Sequence, residues 1–375
     1  VLNELNRPVS MEELHKEFTR TWKLLPGETG KDDEESYYFR FFPSDYRGKT
    51  NLNYDFRNPI THKFSPEFCT EFDHRVTWEI SSEFGFNAII GRTLEKTGAS
   101  AVLFPEAKIK EIYGELKPWL DVNNLGMIDE NGFHSFLSGI LHRIRIRGGI
   151  DHPYLEKYRN DGLKLWDLNW MRDNRHFLNR MYHPKSRFPK LVTTNPHTRG
   201  LLDTTNSQAA NWFHAYLIKS FITVPAYHQM LNDFFTKLFE ILCSKGILNE
   251  SAEGSDHNYC LTPASIFVQN KVKHLGCSEC SSKLSVGFDD LISAGAKCLN
   301  YRCTGEYYLI ESTELNYYQL IYNRARAPRI YASEHTGLLS RGDREKVESD
   351  FKERPRYNSL NALVATSTLE MGIDI

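Results

Sequence analysis

Four cysteines in one short segment have the spacing that most directly implies chemistry. Cys277 and Cys280 are separated by two residues, and Cys298 and Cys303 by four, with seventeen residues between the pairs. A short cysteine pair lets one turn present two thiolates to a tetrahedral ion, and two such turns complete a shell of four. Thiolates select zinc or iron–sulfur over hard cations. With every position filled by protein, no place is left for a reacting ligand, so the reading is a structural zinc site. The stretch "SSKLSVGFDDLISAG" between the pairs suits the strands of a zinc ribbon. His274 is near enough to compete as a ligand but reads as a surface residue, and Cys260 reads as a hairpin or core residue. Cys69, Cys243 and Cys260 are scattered among apolar neighbours. That distribution fits a reducing compartment with one metal site better than a disulfide framework.

A second set of candidates lies at the C-terminal end, where "EHTGLLSRGDREKVESDFK" is followed by "NALVATSTLEMGIDI". Thr366, Ser367 and Thr368 follow an apolar strand and open a turn whose hydroxyls and amides suit a phosphate. Gly372 permits close backbone approach. Asp374 falls at a strand end, where α/β folds bind ligands.

In order and spacing these segments resemble motifs IV and V of superfamily 2 helicases, in particular the DEAD/DEAH-box group related to Lhr and the mitomycin-repair helicase. The four-cysteine segment falls where that group carries a cysteine insert, and "LNYYQLIYNRARAPRIYASEHTG" resembles its link to motif IV. The resemblance is specific over 260–375 and looser upstream, where "EFGFNAIIGRTLEKTG" is similar to the group's connecting region. It implies that Thr366 and Thr368, with Ser367 in the same turn, contact a nucleic-acid backbone. Gly372 and Asp374 would face the nucleotide, and Glu370 would link the two sites. His335, Thr336 and Gly337 would form the motif IV turn near the strand, with Arg344 and Glu348 as a structural pair on the following helix.

The first half of such a motor is not legible. Gly48-Lys49-Thr50 comes after an apparent strand, but a phosphate-binding loop needs glycine where Pro43 stands. No DEAD/DEAH carboxylates for magnesium are found and no arginine-rich motif VI comes after motif V, so no catalytic set is complete. Val1 is not a methionine and Ile375 lies inside an apolar stretch, which reads as a piece of a longer protein. ATP and magnesium then belong to the complete parent, with a first RecA-like domain in cis, and this chain alone is expected to be inactive as an ATPase.

Net charge is -2, so no global basic bias announces nucleic acid. Locally, 141–200 carries a charge of about +8, interleaved with Tyr158, Trp166, Trp170, Tyr182 and Phe188. Such a mixture can track phosphates and stack bases, or it can be ordinary solvated helix faces over an aromatic core. "RIRIR" at 143–147 has strand-like alternation that would set Arg143, Arg145 and Arg147 on one face as nucleic-acid contacts.

Local sequence signals define the elements that must position these residues. Ser10 with Glu13 forms a capping box before a helix, and "YYFRFF" at 37–42 is a strand. Residues 76–200 are mainly helical. "SQAANWFHAYLIKSF" and "PAYHQMLNDFFTKLFEILCSKG" are helices, with Pro225 in a first turn and Gly246 as a C-cap. A β-hairpin after them makes a winged-helix-like unit, a plain helical bundle with a surface hairpin being equally compatible. "RIYAS" and "NALVAT" are strands flanking a helix, as in a parallel α/β sheet.

The expected fold class is multidomain α+β and α/β. Its segments are an N-terminal α+β piece (1–75), a basic helical accessory region (76–204), the winged-helix-like unit (205–270), the zinc ribbon (271–312) and a truncated RecA-like domain (313–375). The function implied is part of an ATP-dependent DNA helicase or translocase, with RNA left open and with repair or antiphage-defence partners. The alternative is a non-enzymatic zinc-containing nucleic-acid-binding adaptor. No apolar run reaches about 18 residues and no secretory signal opens the chain, so a cytoplasmic location without membrane contact is expected.

Overall fold

The computed structural model describes residues 7–24, 37–38, 64–84, 93–160, 190–194, 211–222, 224–225, 227–253, 256–288, 294–311, 317, 319–320, 330, 332–352 and 360–365. The chain is mixed α and β, with small sheets, and divides into two compact units. The first comprises Val1–Glu17 and Cys69–Asn323, the second Phe18–Phe68 and Arg324–Ile375. Among the described residues no helix is long and apolar enough to cross a membrane.

In the first unit, strand β1 (Val9–Ser10) leads directly into helix α1 (Met11–Leu24). Ser10 Oγ accepts from the Glu13 amide at 3.1 Å, as a capping residue should. The reciprocal half of the box is not made, because the Glu13 carboxylate pairs with Arg7. Strands β2 (Ala101–Leu103) and β6 (Phe267–Gln269) join β1 in an antiparallel sheet ordered β1-β6-β2. Val9, Val102 and Val268 are fully buried at its centre.

Four helices pack beside this sheet: α3 (Glu106–Val122), α4 (Glu130–Ile146), α6 (Trp212–Ser220) and α7 (His228–Ser244). Helix α5 (Pro153–Asn160) comes after α4 in the chain, and α2 (Pro66–Phe84) precedes α3. Helix α3 buries Ile109, Ile112, Leu116 and Leu120, an apolar stripe at helical spacing. Helix α4 starts at Asp129, whose carboxylate accepts from the Gly132 amide at 2.8 Å, and α6 at Asn211, which accepts from the His214 amide at 2.9 Å. Helix α4 has glycine at 139 for a spatial reason: a Cβ there would lie 2.1 Å from the Tyr216 hydroxyl of α6. That close approach lets Tyr216 stack between Phe136 and Trp212, at centroid distances of 5.6 and 4.6 Å.

Helix α7 begins after Tyr227, so Pro225 precedes the helix and does not sit in its first turn. The chain returns through Gly246 into β4 (Leu248–Glu253) and β5 (Asp256–Leu261), an antiparallel hairpin joined by β3 (Val192–Thr193) in the order β3-β5-β4. The expected helix pair and hairpin are therefore present, and one apolar core runs from α3 and α4 through α7 to the hairpin. Cys260 is buried there. Arg159 donates to its sulfur at 3.4 Å, and burial pushes the thiol up to about 12, which makes it an inert core residue.

Two local expectations are corrected. Tyr37 and Tyr38 have helical conformation, not the strand read from "YYFRFF", whose other residues lie outside the described set. "RIRIR" belongs to α4 and its C-cap, not to a strand. At about 100° per residue, positions two apart on a helix point to nearly opposite sides, so Arg145 faces away from Arg143 and Arg147. Arg145 is 0 % exposed and pairs bidentately with Glu95, both bonds at 2.6 Å. It also donates to the Phe84 carbonyl at 2.5 Å, which closes the end of α2. Helical apolar spacing on both sides outweighed the two-residue alternation of charge.

The second unit holds strand β10 (Ala332–His335), helix α8 (Arg341–Lys352) and strand β11 (Ala362–Ala365). The strands pair in parallel, with Ala332 opposite Ala362 and His335 opposite Ala365. This is the strand–helix–strand order read from "RIYAS" and "NALVAT". Ser340 caps α8 by accepting from the Asp343 amide at 3.2 Å. Elsewhere in the unit Tyr38, Phe64 and Phe68 form an aromatic cluster.

A buried histidine set ties α1, α2 and the start of α5 together in the first unit. His15 Nε2 meets Ser81 Oγ at 3.2 Å, and His152 Nε2 meets Thr77 Oγ1 at 3.0 Å. Burial, slightly offset by Glu12, pushes His15 down to about 4. Burial, aided by His15 and His74, pushes His152 down to about 3. Both values lie below the roughly 6.5 of an unfolded histidine, so the neutral rings favour the fold above that pH. This stability is lost as pH falls from about 6.5 toward the folded values. Urea titrations should therefore show a loss of about 2 kcal/mol per buried histidine between pH 7 and pH 5, and a smaller loss in His152→Gln. Equal stability of the unaltered chain at the two pH values would refute this reading.

Candidate metal centre

The cysteine segment folds as a three-stranded antiparallel sheet. Strand β7 (Val272–Cys277) is central, between β8 (Lys283–Gly287) and β9 (Tyr307–Ile310). Cys277 ends β7, and its amide donates to Ser282 O at 3.0 Å, so a tight turn carries Cys280 back over the strand end. The second pair sits on the loop entering β9. There the Cys298 amide donates to Gly305 O at 2.9 Å and the Cys303 amide to Asn300 O at 3.2 Å. The Ser278 amide reaches Glu306 O at 2.9 Å and clips the two turns together.

All four sulfurs lie within 4.8 Å of one another. Cys277 and Cys303 are 3.5 Å apart and Cys280 and Cys298 3.6 Å. A tetrahedron with zinc–sulfur bonds of about 2.3 Å has edges of roughly 3.8 Å, so the cluster has the size of a four-thiolate site. These separations are far beyond a disulfide bond of about 2.05 Å, and all seven cysteines are free. The arrangement is compatible with a structural zinc ion, and the donor set is wrong for magnesium or calcium.

Backbone groups prepare the sulfurs for negative charge in the same way at both turns. The Glu279 amide donates to Cys277 Sγ at 3.4 Å and the Asn300 amide to Cys298 Sγ at 3.4 Å, each from two residues downstream. Asn300 Nδ2 adds a donor to Cys280 at 3.3 Å. The Ser282 amide pulls the Cys280 thiol down to about 7. Burial pushes Cys298 up. At Cys303 the Gly305 amide favours the thiolate, but burial and the neighbouring sulfurs outweigh it and push the group up to about 12. Thiolate formation is thus favoured at Cys280 and opposed at Cys298 and Cys303 in the absence of a cation, so metal uptake would be coupled to proton release. Gly305 is fixed by space, because a Cβ there would lie 2.7 Å from Cys277 Sγ.

Helix α6 grips the second cysteine turn. Trp212 Nε1 donates to Leu299 O at 2.8 Å and the Tyr216 hydroxyl to Lys297 O at 3.3 Å. Lys219 Nζ donates to the carbonyls of Cys298, Asn300 and Cys303. Burial pushes this ammonium down while Cys298, Cys303 and Cys277 pull it up. Sequence reading missed these residues, because nothing along the chain couples position 219 to a turn some eighty residues away.

The remaining candidates lie elsewhere. His274 is no ligand: it stands three positions from Cys277 on a strand, hence on the opposite face. It is half-buried, not a surface residue, against Ser285 and Gln319. Arg143 lies over the Trp212 ring at 4.9 Å, Arg145 is buried, and Arg147 caps α4, so the three do not form one exposed row. In the second unit, His335 and Thr336 are buried at the carboxyl end of β10, with His335 Nε2 2.8 Å from Glu348 Oε1, and Gly337 comes next, exposed. Thr366, Ser367, Thr368, Glu370, Gly372, Asp374 and Gly48–Thr50 lie outside the described residues. No protein-family model, curated protein or solved structure matches the chain.

Purified under reducing conditions, the chain should carry about one zinc per molecule by elemental analysis. Cobalt substitution should give the intense thiolate-to-cobalt absorption of a four-sulfur site. Cys277→Ser should abolish metal retention on a desalting column and lower the thermal midpoint. A metal-free chain with an unchanged midpoint after chelator treatment would overturn the assignment.

Proposed function

We propose that this chain is part of an ATP-dependent nucleic-acid helicase or translocase. In this reading α6, α7 and the β4–β5 hairpin act as a winged-helix-like accessory unit. The cysteine sheet is a zinc ribbon stabilised by a structural zinc ion. The strand–helix–strand unit of the second compact body begins a second RecA-like motor domain.

The observation that carries the reading is the parallel pairing of β10 with β11, together with the turn sequences at their carboxyl ends. Parallel α/β sheets bind ligands outside the carboxyl ends of their strands. His335 and Thr336 thus stand at the end of the sheet where such folds bind ligands, and Thr366–Thr368 are the residues that come directly after β11 in the sequence. The His335–Glu348 pair ties the first of these turns to α8. Gly372 and Asp374 come next as the proposed nucleotide contacts, with Glu370 as the link between sites. ATP and magnesium would be held mainly by a first RecA-like half in the parent protein, and DNA is the proposed partner.

Arg145 takes no part in this function, since its guanidinium is already consumed by Glu95 and Phe84. Arg143 and Arg147 remain as proposed strand contacts. The test is nucleotide hydrolysis by the longer reading frame and by this chain, each with and without single-stranded DNA. The longer protein should hydrolyse ATP with DNA stimulation, and this chain alone should not. Thr368→Ala in the longer protein should raise the DNA concentration for half-maximal stimulation about tenfold, the cost of one charge-assisted hydrogen bond. Absence of hydrolysis by the longer protein would replace this reading with a nucleic-acid-binding adaptor.

A further inference from the structure

We infer that Lys219, on helix α6, is a positioning residue for the metal centre. It holds the Cys298–Cys303 turn in its ligating shape and supplies the positive charge that a four-thiolate site requires. The inference rests on the reading of the cysteine cluster as a zinc site.

Geometry carries it. The ammonium has three donors, and all three are used on one turn, by the carbonyls of Cys298, Asn300 and Cys303. Two of these carbonyls belong to the ligands themselves. The third belongs to Asn300, whose amide and side chain donate to Cys298 and Cys280. One side chain therefore fixes the residues that aim two sulfurs and the residue that hydrogen-bonds to two of them. Trp212 and Tyr216, on the same helix, bond the neighbouring carbonyls of Leu299 and Lys297, so the turn is held along its length by α6.

Charge points the same way. A dication among four thiolates is formally a dianion, and a partly buried anion needs a compensating cation. Lys297, also close in sequence to the site, is committed to Glu306. Lys219 is half-buried against the site and has no carboxylate partner within salt-bridge distance among the described residues. Groups that orient metal ligands typically contribute 10–100-fold to affinity.

Binding linkage is reciprocal, so the helix should sense the metal as much as the metal senses the helix. With the turn unligated, α6 loses the fixed acceptors of Trp212, Tyr216 and Lys219. The ligands then communicate with the centre of the helical core through a helix that contains none of them.

The experiment uses the full chain. Zinc affinity is measured by competition with a chromophoric chelator for the unaltered chain, Lys219→Met, Lys219→Arg and Lys245→Met. Lys245 pairs with Glu111 and Glu115 away from the site and controls for loss of a lysine in the same bundle. Lys219→Met should bind zinc about tenfold or more weakly, Lys219→Arg should recover most of that loss, and Lys245→Met should be unchanged. In parallel, hydrogen exchange on the unaltered chain should show that chelation deprotects α6 but not α3, a readout that stands even if Lys219→Met fails to fold. Unchanged affinity in a folded Lys219→Met, or α6 amides indifferent to chelation, overturns the inference and leaves the zinc reading intact. An unaltered chain that takes up neither zinc nor cobalt overturns both.

Discussion

Four sulfurs gathered within 4.8 Å cannot all be thiolates without a cation between them. That electrostatic constraint bears on the whole cysteine sheet and on the helix that grips it. It explains why amide donors converge on the sulfurs and why two turns repeat the same hydrogen bond from a residue two positions downstream. It also explains why the opposing tendencies at Cys280 and Cys303 coexist in one cluster. A small three-stranded sheet has little apolar interior of its own: among the described residues Leu275, Val286 and Tyr307 are buried beside the cysteines, with Leu284, Ala296 and Leu299 partly buried around them. Its integrity therefore depends on what the cysteines hold and on what α6 grips.

Helix α6 works on two sides at once. One side is part of the aromatic core, with Phe213 against Phe235 and Phe239. The other side presents Trp212, Tyr216 and Lys219 to the cysteine turn. Nine residues are too few to be a stable helix in isolation, so its order comes from these two packings. The lining of the space between α4, α6 and the cysteine sheet includes Ser138, His142, Leu284 and Tyr307, drawn from both modules.

Features set by local sequence were legible in advance. The cysteine spacing located the cluster, Ser10 located the start of α1, and the apolar runs around "RGDREKVESDFKE" located a strand–helix–strand unit. What escaped was decided by distant partners. Arg145 looked like a phosphate contact because its neighbours are arginines, yet Glu95 lies fifty positions upstream and is joined to it only by folding. Two-residue alternation in "RIRIR" suggested a strand, while Phe133, Phe136, Leu137, Ile140 and Ile144 in the same segment imposed helical order. Lys219 and Trp212 carried no signal, because their acceptors are backbone carbonyls and any residue can supply one.

Gly305 has a consequence for how this sequence can drift. Its missing side chain leaves the space beside Cys277 Sγ, and any larger residue would push into the sulfur cage. The position is thus chained to the cysteines without being one of them. In a lineage that abandoned the metal, the restriction would lift and the glycine would be free to vary. Among related sequences, glycine here should therefore persist with the four cysteines and vary where the cysteines are lost.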